Sequence, residues 1–138
     1  MKNVRITALL LLVTFIAHAD RVVIPWFSKW KYLDNGTNLG SIWTASSFND
    51  IGWPAAYAQL GFGDDDESTV ISYGGNASSK YVTTYFRRTV SIATPSQYAA
   101  FRMDVRRDDG VIVYVNGMEV FRNNMPSGAV DRKSTRLN

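Results

Sequence analysis

Cysteine is absent from the 138 residues, and histidine occurs once, at His18. From residue 20 onward the chain therefore has neither thiol nor imidazole. No Ser-His-Asp or Cys-His nucleophile can be assembled from it, and no histidine-ligated zinc or di-iron site. Carboxylate-only chemistry of the glycosidase kind stays open on composition, but no pair of acids marks out a cleft. Long apolar runs are lacking too. The longest, Ile6–Ile16, covers 11 positions, well short of the ~20 residues that a bilayer-crossing helix needs. Residues 20–130 hold no helical periodicity beyond about a turn or two, and no internal repeat or low-complexity stretch. Without disulfides, an exported domain must be held by its core or by a metal.

What is present at the two ends changes the meaning of the charge. Lys2 and Arg5, the largely apolar run Ile6–Ile16, and Ala17-His18-Ala19 form the three parts of a secretory signal peptide over residues 1–19. Cleavage between Ala19 and Asp20 would deliver the rest to a periplasmic or extracellular compartment. With no cysteine at the junction, a lipid anchor is excluded. At the other end, Asp131 to Asn138 resembles the in-frame translation of an adapter used to build sequencing libraries, an expectation that places the end of the native reading at Val130. Both ends are basic. Residues 1–19 carry +2 and residues 131–138 carry +2, so of the total +3 the span 20–130 holds −1. The basic pI near 9.3 is thus a property of the ends, and it gives no support to nucleic-acid binding.

The span 20–130 reads as one all-β domain. Phe101, Met103 and Val105 alternate with Arg102, Asp104 and Arg106, the pattern of a strand with one wet face. Asp109-Gly110 turns the chain, Val111–Val115 is apolar throughout, and Asn116-Gly117 is the strongest two-residue hairpin signal before Met118 to Arg122 returns. Further strands are predicted at Arg21–Pro25, Trp30–Leu33, Ser41–Thr44, Gln59–Gly63, Val70–Tyr73 and, longest, Lys80–Ile92. Residues 46–54 read as a loop with one helical turn, stopped by Gly52 and Pro54. About eight short strands at regular spacing argue for a sandwich or barrel.

The words along this span occur in a familiar order. They are Trp30-x-Tyr32-x-Asp34-x-Gly36, Trp43, Phe48-Asn49-Asp50-x-x-Trp53, and Leu60-Gly61-Phe62-Gly63-Asp64. Then come Tyr85-Phe86-Arg87-Arg88, Asp108-Asp109-Gly110, Val113 to Gly117, and Asn124-Met125-Pro126. The set resembles the galactose-binding-like jelly-roll modules of secreted bacterial multidomain proteins. That resemblance implies a jelly-roll β-sandwich over about 25–126 and, because the family pattern continues with closing strands, one that is incomplete at its C-terminus. It implies a non-catalytic accessory module that contacts a glycan or the downstream domains of the same polypeptide. Two alternatives stay open: the front of a secreted hydrolase, most plausibly a metallophosphoesterase whose active site lies further on, or a free-standing secreted lectin. Fold alone does not choose among them.

Three groups of residues are candidates for sites. Trp43, Phe48 and Trp53 offer a stacking platform for a sugar ring, although rings like these more ordinarily anchor loops to a core. Asp64, Asp65, Asp66 and Glu67 form an acidic loop with the oxygen ligands that a structural calcium ion takes, or a solvated turn. Arg88 shares strand parity with Phe86 and Val90, which turns it inward and calls for a carboxylate partner, best supplied by Asp108. Asn35-Gly36-Thr37 and Asn76-Ala77-Ser78 are glycosylation sequons, meaningful in a eukaryotic source only.

Overall fold

The computed structural model describes residues 21–130. The expected signal peptide, its Ala19/Asp20 junction and the adapter-like residues 131–138 lie outside them. Strand accounts for 24% of the described residues and helix for 5%. The architecture is strand-dominated, and its sheets stay open.

Its centre is a three-stranded antiparallel sheet. β1 (Lys29–Leu33) lies between β2 (Ala55–Tyr57) and β5 (Tyr85–Arg87). Trp30 pairs with Ala56 on one side, and Lys31 with Arg87 and Leu33 with Tyr85 on the other. A short parallel pair, β3 (Leu60–Gly61) with β4 (Thr69–Val70), follows. The third sheet is the hairpin of β6 (Val111–Val115) and β7 (Met118–Asn123). Asn116 and Gly117 both adopt positive φ, 50° and 86°, as a two-residue primed turn requires. A bulge between Val113 and Tyr114 shifts the register, so Tyr114 faces Glu119.

Four predicted strands take another form. Ser41–Thr44 is a 3-10 turn at Ile42–Thr44, where the Thr44 hydroxyl and amide both donate to the Ser41 carbonyl, at 2.9 and 3.2 Å. Such local side-chain bonds compete with a ladder. Lys80–Ile92 enters a ladder only at Tyr85–Arg87. Upstream, the Tyr81 amide donates to the Tyr73 carbonyl at 2.8 Å, and its ring lies over Gly36, where a Cβ would meet it at 2.6 Å. Residues 101–106 are exposed and pair with no strand. The Asp109 turn is tied elsewhere: its carbonyl accepts from Asn124 Nδ2 and Arg107 Nη1, and Gly110 packs against Asn124 and Met125. Arg21–Pro25 likewise joins no sheet.

The core is thin. Among the described residues only Ile71 and Tyr85 are buried hydrophobics, 6% and 5% exposed. Trp26, Phe27, Ile51, Val70 and Met118 stand in solvent. No helix among the described residues is long and apolar enough to cross a membrane.

Candidate functional site

The best-organised chemistry lies on the face of the central sheet that carries Lys31 and Arg87. Cross-strand pairing of these two residues on β1 and β5 puts their side chains on one face. The 46–54 loop then lays Asp50 between them. Lys31 Nζ donates to Asp50 Oδ1 at 2.6 Å and to the Asp50 carbonyl at 3.0 Å, and Arg87 Nε donates to Asp50 Oδ2 at 3.0 Å. The hydrogen bond from Lys31 holds the Asp50 carboxyl below its ordinary range, aided by that from Arg87 and by both positive charges, against a smaller opposing effect of burial. Arg87 uses its remaining fork on the same loop. Nη1 donates to the Trp43 carbonyl, Nη2 donates to the Ala45 carbonyl at 3.2 Å, and the guanidinium lies 5.2 Å from the centre of the Phe48 ring.

Aromatic rings complete the attachment. Trp43 meets Tyr85 edge-on at 5.1 Å and Tyr114 at 5.6 Å, which links the hairpin to the central sheet. Trp53 meets Phe48 at 5.7 Å and Tyr85 at 6.4 Å. The Tyr85 hydroxyl accepts the Leu39 amide at 3.2 Å. Trp43, Phe48 and Trp53 are therefore placed against other rings of the protein, the loop-anchoring arrangement of the two that the sequence left open.

Arg88 and Asp108 do not pair among the described residues. Strand parity follows Tyr85, which is buried, and so it is Arg87 that turns inward. Arg88 is exposed and donates to the Lys29 carbonyl, while Asp108 is exposed. The sequence reading missed Asp50 and Lys31 for the same reason: fixing parity on Phe86 moved the half-buried guanidinium by one position. Tyr85 as the inward residue would have found it.

The acidic loop gathers three of its four carboxylates. Asp64, Asp66 and Glu67 place oxygens within 4.8 Å of one another. Asp65, at φ 61°, stands outside the group. Part of this oxygen set is already engaged. Glu67 Oε1 accepts the Asp64 amide at 3.1 Å, and Asp66 accepts from Gln59 at 3.0 Å and pairs with Arg106 at 3.4 Å. These three carboxylates are the ones that could hold a calcium ion, with Arg106 as the competing cation.

Beside the Asp50 node lies an open hollow of about 360 Å³, lined by Lys29, Trp30, Lys31, Asp50, Ala55, Arg87, Arg88 and Thr89. That volume falls at the small end of the ~300–1,000 Å³ typical of ligand clefts. Its wall carries hydrogen-bond donors. Its one carboxylate is held ionised between two cations, which makes it a poor proton donor. No family model, curated protein or solved structure matches the chain.

Proposed function

We propose that the chain is a non-catalytic accessory module of an exported protein, built on the galactose-binding-like jelly-roll plan, and that it works by contact with carbohydrate. The hollow on the central sheet is the observation that supports this reading. It is sized for a sugar residue and walled by donors suited to sugar oxygens. Catalysis is poorly served there. Asp50 is fixed between Lys31 and Arg87, the Thr89 hydroxyl has no imidazole or thiol to activate it, and residues 20–130 contain neither group.

A panel of insoluble and soluble polysaccharides tests the reading, using the full chain in pull-down and affinity electrophoresis. Retention by at least one polysaccharide is expected. Silence across the panel would overturn the reading, and so would turnover of a chromogenic phosphodiester by the purified chain.

A second reading, contact with neighbouring domains, is favoured by a different region. Val115, Met118, Val120 and Phe121 leave apolar surface exposed on the β6–β7 hairpin, the kind of patch that marks protein–protein contact. Full-chain samples that stay monomeric and bind no hydrophobic dye would count against it.

A further inference from the structure

The charge of the hollow narrows the ligand class, an inference that rests on the carbohydrate reading above. Residues 21–130 contain ten basic and ten acidic side chains and are neutral overall. Yet four cations, Lys29, Lys31, Arg87 and Arg88, line this one hollow with a single carboxylate, Asp50. Two unit charges 4 Å apart in water cost about 1 kcal/mol, and more where protein displaces solvent. Composition does not explain such clustering, and an anion in the hollow would relieve it.

The four cations divide by their partners. Lys31 and Arg87 are committed to Asp50 and, for Arg87, to the Trp43 and Ala45 carbonyls. Lys29 and Arg88 are not. Among the described residues the Lys29 ammonium makes no ion pair and no hydrogen bond, and it lies 5.9 Å from the centroid of the Tyr57 ring. Arg88 gives one N–H to the Lys29 carbonyl, which leaves most of its five donors for a planar or tetrahedral oxyanion. Trp30, next to Lys29 on β1, directs its ring to the opposite face of the sheet.

We propose that this hollow binds the anionic group of an acidic saccharide, the carboxylate of a uronic acid or a sulfate ester, with Lys29 and Arg88 as the charge contacts. A nucleic acid fits less well. It calls for a basic track along successive phosphates, whereas this is one local concentration in a neutral span.

Calorimetric titration of the full chain tests the proposal with four probes of matched length: an oligogalacturonate, a sulfated galactan oligosaccharide, a neutral galactan oligosaccharide and a single-stranded oligonucleotide. At least one acidic saccharide is expected to bind about tenfold tighter than the neutral one at low salt, an advantage that shrinks as salt rises. A preference between the uronate and sulfate arms identifies the source of the anion. Lys29→Gln and Arg88→Gln should each weaken acidic binding by about five- to tenfold. Neutral binding should fall by less than acidic binding, and the melting temperature should stay close to that of the parent chain. Arg88→Lys should recover part of the loss, since it keeps the charge without the fork. Equal binding of acidic and neutral saccharides would overturn the inference and leave the carbohydrate reading standing. Tighter binding of the oligonucleotide would also overturn it. Absence of binding to every saccharide would remove both.

Discussion

The loop region around Asp50 and the strand-rich region from 101 to 130 are held by different means. In the first, a strand of three residues, Tyr85–Arg87, is tied to residues 41–53 by one carboxylate, two backbone carbonyls and three aromatic contacts. In the second, the longest ladder of the molecule leaves Met118 72% exposed, and Arg102–Asp104 is an ion pair between exposed neighbours. More hydrogen-bonded strand does not mean more burial. A ladder satisfies backbone groups and fixes register, but stability comes from apolar area removed from water, and here that area gathers where rings converge on Tyr85.

The contrast can be broken most severely at Tyr85. Tyr85→Ala removes the ring on which Trp43 and Trp53 both rest, and a cost of about 3–5 kcal/mol is expected in urea denaturation of the full chain. Next is Asp50→Asn, which leaves Lys31 and Arg87 facing each other without a counter-charge. About 1–3 kcal/mol should be lost at neutral pH.

The same carboxyl sharpens the comparison through pH. Its folded-state value lies below the unfolded one, about 3.8. Its contribution to stability is therefore complete above that value and is lost as pH falls through the lower, folded one. Denaturation midpoints should hold steady from neutral pH to about 5 and decline below about 4. Asp50→Asn should flatten that decline, and an equal acid slope in both proteins would remove Asp50 from the account.

Smaller effects belong to the hairpin. Gly117→Ala at φ 86° should cost about 1 kcal/mol, since a Cβ is disfavoured there. Smallest of all is Arg102→Ala. With Arg102 83% exposed, its melting temperature should match that of the parent chain, because solvent screens the pair.

The pattern of legibility follows the same divide. Asn116-Gly117 fixes a turn by its own backbone preferences, so the hairpin could be read with no knowledge of what surrounds it. β1 was also legible, being a short aromatic-rich run that ends at a turn with Gly36 at φ 75°. The run from Lys80 to Ile92 and the alternating residues 101–106 carry the same local signal, yet they pair over three residues and none. Strand propensity states that a segment fits a pleated surface. It cannot state that an edge is available. For the site, the acidic loop was visible as a block of neighbours. The Asp50 node was not, because its members stand 19 and 37 residues apart from Asp50.

From the sequence alone come the absence of thiol and imidazole beyond residue 20, the neutral balance of residues 21–130, the primed turn and the β-rich character. These are properties of composition and of adjacent residues, fixed before folding begins. Tertiary structure decided which face of β5 points inward, and hence that Arg87 meets Asp50 while Arg88 remains beside Lys29. Side chains on a strand alternate between two faces, and only the packing of Tyr85 chose between the two phases.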